Sequence, residues 1–299
     1  MISNEAQAIK SQLVRETLDD VPIVEKRKGW EESVPMPDDL PSGIRYEHRL
    51  IDDVPCLVHT PCNLANSDRC IIYIHGGGLV EGSVITSREW CTRLALAVGQ
   101  PVISVDYRLA PEHPYPAAVN DVIAVYESIQ KNSEFSAVSA VGADSTGCTL
   151  SLQLLIHLRD SAIDSPASCF LLSPSIDLSF SGRSMQTNAT IDPLVSASVL
   201  KQYATLYADG ENLQSAKISP LFSTLQNLPP MLVHVDDGEL LLDDSTRLEE
   251  KVHSQQGYIK VITSHGLWHV WPTWGNFPES RLATQQIAEH IQRSIKLSA

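Results

Sequence analysis

Ser145 is the residue of this chain best placed to act as a nucleophile. It follows an apolar run over residues 137–141 and precedes the helical pattern of residues 146–159. A strand, a sharp turn and a helix are the setting of a nucleophile elbow, where crowding demands small residues on both sides of the serine. Ala143 and Gly147, two residues before and after Ser145, are both small. The pattern predicts nucleophilic catalysis, although serines between small residues are also common in turns without a catalytic role.

A glycine-rich segment, His-Gly-Gly-Gly at residues 75–78, follows another apolar run. Amides without side chains can approach a ligand closely and donate hydrogen bonds to a developing oxyanion. A phosphate-binding loop is the alternative, but such a loop needs Lys and Ser or Thr after its last glycine. Leu79, Val80 and Glu81 stand there instead, and the glutamate would repel phosphate. We therefore expect oxyanion donors in this segment.

Histidine is the expected base for a serine nucleophile, and an acid must in turn fix its tautomer. His269 lies in the loop after the last predicted strand, beside Trp268 and Trp271, which we expect to shield it from water. His265 and His269 also have the i, i+4 spacing of metal ligands. That motif requires a helix and a glutamate after the first histidine. The sequence offers neither, so no metal site is predicted.

Carboxylates are concentrated after the strand that precedes the histidine loop: Asp236, Asp237, Glu239, Asp243 and Asp244. They lack the spacing of a calcium-binding loop, and most of them suit a turn and a helix N-terminus. We expect one of them to be the partner of His269. The order serine, acid, histidine is then the order found in α/β-hydrolases.

Together these motifs resemble the hormone-sensitive-lipase family of α/β-hydrolases, from about residue 70 to the C-terminus. The resemblance rests on residues 75–78, on Asp-Tyr-Arg-Leu-Ala-Pro-Glu-His-Pro-Tyr-Pro-Ala-Ala at 106–118 and on Asp-Ser-Thr-Gly at 144–147. It implies an α/β-hydrolase fold, with a mostly parallel central sheet flanked by helices and a helical cap. We expect residues 106–118 to shape a turn beneath the site, without a catalytic role.

The resemblance also implies roles for the candidate residues. It makes Ser145 the nucleophile and His269 the base. It places the oxyanion against the backbone amides of Gly76, Gly77 and Thr146.

The catalytic acid of this family lies four residues before a second acid, which aligns Glu239 with the catalytic position. Asp243 is the first alternative, and Asp236 and Asp237 are weaker ones. Glu239 departs from the aspartate of most relatives, and Ala143 departs from the usual glycine. Thr146 stands where alanine is usual, and its branched side chain is expected to narrow the acyl pocket.

Alternating apolar runs and helical patterns predict the elements that must position these residues. Strands are predicted at 45–50, 55–59, 70–75, 101–106, 137–142, 168–172, 230–235 and 258–263, and helices at 86–98, 116–131, 146–159, 243–256 and 278–296. Residues 1–40 contain a helical segment, and residues 181–220 are helical around 196–203. Neither segment has a strand partner. We expect one domain over residues 1–299, with a helical cap from 1–40 and 181–220.

Composition limits the partners and the compartment. The chain of 299 residues has 22 Lys and Arg against 36 Asp and Glu, a formal net charge of −14, which disfavours nucleic acid and anionic membranes. No apolar run approaches the roughly 20 residues of a membrane helix, and residues 1–20 lack the apolar stretch of a signal peptide. The six cysteines form no C-x-x-C pair. We expect free buried thiols and a cytoplasmic location.

The expected function is that of a serine carboxylesterase, which hydrolyses short-chain carboxylic esters through an acyl-serine intermediate. The same triad would serve acyl transfer, lactone formation or cyclisation of a pathway intermediate, which the sequence does not separate from hydrolysis. A small-molecule receptor without turnover is disfavoured, because such relatives typically lose the base and His269 is present. We expect a small ester as substrate and neither cofactor nor metal, and the sequence allows a homodimer.

Overall fold

The computed structural model describes residues 1–36, 40–64, 68–131, 135 and 137–298. Eight strands among these residues form one sheet: β1 (Ile44–Ile51), β2 (Val54–Pro61), β3 (Arg69–Ile74), β4 (Val102–Val105), β5 (Ala137–Asp144), β6 (Ser168–Leu172), β7 (Met231–Asp236) and β8 (Ile259–Ser264). They lie in the order β1-β2-β4-β3-β5-β6-β7-β8. β2 is antiparallel to β1 and β4, and the other neighbouring pairs are parallel. The predicted mostly parallel sheet is therefore confirmed.

The helices of the described residues are α1 (Asn4–Lys10), α2 (Ile23–Ser33), α3 (Arg88–Val98), α4 (Ala117–Lys131), α5 (Gly147–Asp160), the single turn α6 (Ser184–Thr187), α7 (Ala197–Ala208), α8 (Leu242–Ser254) and α9 (Pro278–Ser298). Five of them, α3, α4, α5, α8 and α9, lie within two residues of the predicted bounds. The N-terminal region contains two helices where the sequence predicts one helical segment. Residues 37–39, which belong to the predicted cap, lie outside the described residues.

The helices cover both faces of the sheet, because both faces are apolar. On one face, α3 and α9 pack against Tyr73 of β3 and Phe170 of β6. Ile287 and Ile291 of α9, four residues apart and fully buried, belong to this cluster, as expected for the apolar stripe of an amphipathic helix. The larger cluster on the opposite face contains residues of α4, α5, α7 and α8. The sheet is thus buried on both sides, as parallel sheets usually are.

The topology gathers the candidate residues at one edge of the sheet. β3, β5, β6, β7 and β8 are consecutive neighbours and run parallel, so their carboxyl ends meet on the same side. The glycine-rich loop follows β3, Ser145 follows β5, Glu239 follows β7 and His269 follows β8. In open α/β sheets this edge is where ligands bind.

The cysteines agree only partly with the prediction. All six are free thiols. Five are buried, but Cys62 is exposed, since it lies in the turn that follows β2. The expectation of buried thiols is therefore wrong for Cys62.

Candidate active site

Ser145 sits on the sharp turn between β5 and α5. Its φ of +50° lies in the left-handed region, which is unusual for a residue with a side chain. The turn is held by backbone hydrogen bonds, from the Ser145 amide to the Leu172 carbonyl at 2.9 Å and from the Ser175 amide to the Ser145 carbonyl at 3.0 Å. A Cβ atom on Gly147 would collide with the carbonyls that end β3. The small residue that the motif predicts two positions after the serine, Gly147, is therefore required because a side chain there would clash with the backbone at the end of β3.

A continuous chain of hydrogen bonds connects Ser145 to an acid. Ser145 Oγ lies 2.9 Å from His269 Nε2, and His269 Nδ1 lies 2.8 Å from Glu239 Oε2. Ser145, His269 and Glu239 are 8, 5 and 1% exposed, respectively. These three side chains, separated by up to 124 positions in the sequence, have the geometry of a nucleophile, a base and an orienting acid.

The other acidic candidates are engaged elsewhere. Asp243 Oδ2 accepts hydrogen bonds from the amides of Arg183 and Ser184. Asp236 Oδ2 accepts from the amide of Leu267 at 2.8 Å, and Asp237 Oδ2 lies 2.7 Å from Nδ1 of His265. Each of these acids thus stabilises a loop of the site, and the structure brings only Glu239 of the predicted acids into hydrogen-bond contact with His269.

Ser173, which the sequence analysis did not single out, joins the loops of the acid and the base. It follows β6, is fully buried and has a φ of +47°. Its hydroxyl donates to Glu239 Oε1 at 2.8 Å and accepts from the amide of Val270 at 2.9 Å. Oε1 also accepts from the amide of Asp236 at 2.7 Å. Both oxygens of Glu239 are therefore fixed, which compensates for the extra methylene of a glutamate.

Burial and charge shift the titration of the acid and the base. Burial raises the pKa of Glu239 above its ordinary value, against hydrogen bonds from His269, Asp236 and Ser173 that lower it. Burial alone would lower the pKa of His269, but the hydrogen bond and charge of Glu239 outweigh it, so this pKa lies above its ordinary value. The environment thus favours an imidazolium on His269 once it has taken a proton.

The glycine-rich loop passes directly over the serine. A Cβ atom on Gly76 would collide with the side chains of Asp144 and Ser145, so only glycine permits this approach. Gly77 has a φ of +109° and Gly78 a φ of +68°, a region where glycine is favoured. Burial raises the pKa of Asp144 above its ordinary value, against hydrogen bonds from the Tyr73 hydroxyl and the Gly76 backbone that lower it.

The segment 106–118 contacts this loop through Tyr107. The Tyr107 hydroxyl donates to the carbonyl of His75 at 2.7 Å, and the two rings stack with centroids 4.3 Å apart. Asp106 accepts a hydrogen bond from the amide of Val84. Arg108 pairs with Asp121 of α4 at 2.7 Å. None of these contacts involves Ser145 or His269, in agreement with a structural role.

A small cavity lies between the serine turn and α7. Its volume is about 10 Å³. Gly78 and Thr146 line it on the side of the sheet, and Leu178, Phe180, Leu200, Tyr203 and Ala204 line the remainder. The Tyr203 hydroxyl donates to Glu81, which connects α7 to the end of the glycine-rich loop. The cavity beside Thr146 is therefore small.

No group of three or more His, Cys, Asp or Glu within the described ranges has the arrangement of a metal site. Over the same ranges, no helix combines the length and the apolar character needed to cross a membrane.

Comparisons with known proteins agree with this architecture. A family model described as the alpha/beta hydrolase fold matches residues 71–273, so the chain belongs to the α/β-hydrolase family. A crystal structure of an esterase from the bacterial hormone-sensitive lipase family superimposes with a TM-score of 0.89, at 33% identity over 99% of both chains.

Curated relatives narrow the class further. The chain is 35% identical over 232 residues to an esterase of Acinetobacter venetianus, covering 75% of each protein. It is 31% identical over 218 residues to an acetyl-hydrolase of Streptomyces hygroscopicus, covering 73% of each. The chain is therefore a carboxylic ester hydrolase of the hormone-sensitive-lipase family.

Proposed function

We propose that this carboxylesterase hydrolyses short-chain esters through an acyl-serine intermediate on Ser145. Ser145 Oγ attacks the ester carbonyl while His269 Nε2 takes its proton. Glu239 holds the Nδ1–H tautomer of His269 and stabilises the imidazolium that forms. His269 then donates the proton to the departing alkoxide, and the alcohol leaves. In the second half, His269 takes a proton from water as the water attacks the acyl-serine. The bond from Ser145 Oγ to the acyl carbon then breaks, His269 returns the proton to Oγ, and the carboxylic acid leaves.

The proposed oxyanion donors are the backbone amides of Gly76, Gly77 and Thr146. Thr146 is the N-cap residue of α5, so its amide is among those that the helix leaves unpaired. The backbone of Gly76 also hydrogen-bonds to the Asp144 carboxyl group, so this amide would be shared between Asp144 and the oxyanion. Removing one donor of this kind typically costs about 2.7–4 kcal/mol of transition-state stabilisation.

The observation that carries the proposal is the buried chain of two hydrogen bonds from Ser145 Oγ through His269 to Glu239. The test is a series of p-nitrophenyl esters from acetate to octanoate, measured with wild type and Ser145→Ala. We expect Ser145→Ala to lower kcat at least about 10³-fold. Ser175→Ala is the matched control, because Ser175 is also buried beside the turn but its hydroxyl has no partner among the described residues. Full activity of Ser145→Ala would overturn the proposal.

The preference for short acyl groups is supported by the cavity volume of about 10 Å³ beside Thr146. Such a volume holds about one water-sized group, so longer chains would have to displace side chains of α7. The name of the acetyl-hydrolase relative agrees with this preference. We expect the highest kcat/KM at acetate or propionate, and a maximum at octanoate would contradict the proposal.

We further propose one domain over residues 1–299, with a cap from residues 1–40 and 181–220. Contacts between the two segments support it, since the Glu16 amide donates to the Leu194 carbonyl at 2.8 Å and Arg15 Nε to the Val195 carbonyl at 3.2 Å. Arg27 of α2 donates to the carbonyl of Val80 at 2.7 Å, beyond the glycine-rich loop. Calorimetry is expected to show one cooperative transition, whereas two separate transitions would contradict a single domain.

The six free thiols support a cytoplasmic location, which cell fractionation tests directly. Light scattering of the purified chain tests for the homodimer that the sequence allows.

A further inference from the structure

Glu239 stands in a short turn, residues 236–240, which lies between β7 and α8 and is called the acid turn below. The turn closes with a hydrogen bond of 3.2 Å from the amide of Glu239 to the carbonyl of Asp236. Glu239 and Leu240 are 1 and 0% exposed. Backbone groups buried in this way need partners inside the protein, and several of them find these partners in residues 184–192, far earlier in the chain.

Three buried side chains of residues 184–192 contact the acid turn: Ser184, Asn188 and Asp192. The amide of Asn188 donates to the carbonyl of Ser184 at 2.9 Å, and the amide of Asp192 donates to the carbonyl of Asn188 at 3.1 Å. This is the hydrogen-bond pattern of an α-helix, in which residues four positions apart lie on one face. The first contact is made by the Ser184 hydroxyl, which donates to the carbonyl of Leu240 at 2.6 Å.

Asn188 and Asp192 hold the backbone on both sides of Glu239. Nδ2 of Asn188 donates to the carbonyls of Asp237 at 2.9 Å and of Glu239 at 2.8 Å. Oδ2 of Asp192 accepts from the amide of Leu240 at 2.9 Å. The peptide group that follows Glu239 is thus held by both of its polar atoms, and the peptide group that follows Asp237 is held by its oxygen.

Asp192 also connects the acid turn to its own segment of chain. Its Oδ1 accepts from the amides of Leu194 at 3.0 Å and Val195 at 2.9 Å. Together with the amide of Leu240, three N–H groups point at one carboxylate and use both of its oxygens. A carboxylate suits this arrangement because it only accepts hydrogen bonds, whereas an asparagine has one oxygen and one NH₂ group. An asparagine at this position can therefore serve the amides on one side only.

We propose that Asn188 and Asp192 are positioning residues for ester hydrolysis, which hold the acid turn so that Glu239 keeps its contact with His269. The inference rests on the proposed role of Glu239 as the orienting acid. A displacement of about 1 Å in a catalytic arrangement can lower the rate about 10²-fold. Because the two residues act through the acid and not on the ester, their loss is expected to lower kcat at unchanged KM.

The test is a double-mutant cycle with p-nitrophenyl acetate, in which Asp192→Asn and Asn188→Ala are each made in wild type and in Glu239→Ala. In wild type, Asp192→Asn should lower kcat about tenfold or more, because the NH₂ group of the asparagine then opposes a backbone amide. Asn188→Ala should lower kcat about threefold or more, since water can replace part of its hydrogen bonding. In Glu239→Ala the same substitutions should change kcat by less than about twofold, because no carboxylate is left to position.

Asp209→Asn is the matched control for Asp192→Asn. Asp209 is an exposed residue at the C-terminal end of α7. Its φ of +46° lies in the left-handed region, which asparagine also tolerates. The control removes one negative charge from residues 181–220 without changing a contact of the acid turn, so kcat should stay at the wild-type value.

Two results would overturn the inference while Glu239→Ala is strongly impaired: a wild-type kcat in both Asp192→Asn and Asn188→Ala, or equal losses with and without Glu239. Equal losses would mean that the two residues only support the fold. If Asp192→Asn does not fold, Asn188→Ala decides by the same criterion. Full activity of Glu239→Ala would instead refute the proposed role of Glu239, and the inference with it.

Discussion

Replacing Glu239 by glutamine tests how the acid acts on the base. Oε1 of Glu239 accepts hydrogen bonds from the Asp236 amide at 2.7 Å and from the Ser173 hydroxyl at 2.8 Å. The Asp236 amide can only donate, so the oxygen of a glutamine must remain there. The NH₂ group of the glutamine then faces Nδ1 of His269, which has to accept a hydrogen bond instead of donating one. The proton of the neutral imidazole moves to Nε2. This nitrogen then has no free lone pair and can no longer accept the proton of Ser145.

The magnitude follows from this tautomer change. An enzyme held in the wrong tautomer typically loses about 10⁴ in kcat, which corresponds to about 5 kcal/mol of activation free energy. We expect a loss of this order in Glu239→Gln with p-nitrophenyl acetate. The thermal midpoint of unfolding should change little, because glutamine has the same shape as glutamate and its oxygen keeps the hydrogen bond from the Asp236 amide.

Asp243→Asn provides the matched control for this substitution. It removes one negative charge from the same segment, but Asp243 hydrogen-bonds to the amides of Arg183 and Ser184 and not to His269. We expect its kcat to stay within about threefold of wild type, since surface charges away from the chemistry contribute little. A Glu239→Gln enzyme within tenfold of wild type, or an equal loss in Asp243→Asn, would refute the assignment of Glu239.

Three further outcomes are expected. kcat/KM should fall as the pH drops through the pKa of His269, because the base must be neutral to take the Ser145 proton. Burial lowers this pKa, but the hydrogen bond and charge of Glu239 outweigh burial and raise the pKa above 6.5. An acid limb with its midpoint below pH 6.5 would contradict this prediction. Ser173→Ala should lower kcat about tenfold or more at unchanged KM, because the Ser173 hydroxyl holds Glu239 Oε1 and the Val270 amide in place; a change in KM alone would speak against a positioning role. Phe180→Ala should enlarge the acyl cavity and move the best p-nitrophenyl ester toward longer chains, whereas an unchanged preference would show that Phe180 does not limit acyl length.

The fold could be predicted because its signals are local. The apolar runs that become β3 and β7 are buried on both faces, and α9 repeats its apolar residues about every fourth position. One of the strand ends that differ from the prediction lies at the serine turn. β5 extends to Asp144 rather than ending at residue 142, because the serine turn begins only at Ser145. The order of the strands depends on long-range pairing, which periodicity does not encode.

Short motifs surround Ser145 and His269, so their meeting at one site could be predicted, whereas the residues that support them carry no such motif. Ser173 lies 66 positions from Glu239, and its only sequence signal is a small polar residue directly after a buried strand. Asp192 is similar, since it accepts the Leu240 amide across 48 positions. The sequence could not choose between Glu239 and Asp243, because both belong to one acidic segment. In the structure the Glu239 carboxylate contacts His269, whereas the Asp243 carboxylate contacts the amides of Arg183 and Ser184.

The most direct measurement of the central claim is the site of covalent modification by diethyl p-nitrophenyl phosphate, located by peptide mass spectrometry. This organophosphate reacts with a serine that a neighbouring base activates and leaves a stable phosphoryl group on it. We predict one diethylphosphoryl group per chain, located on Ser145, with loss of esterase activity in proportion to labelling and no label in Ser145→Ala. Complete inactivation with the label on another residue, or an active enzyme fully labelled at Ser145, would contradict the account.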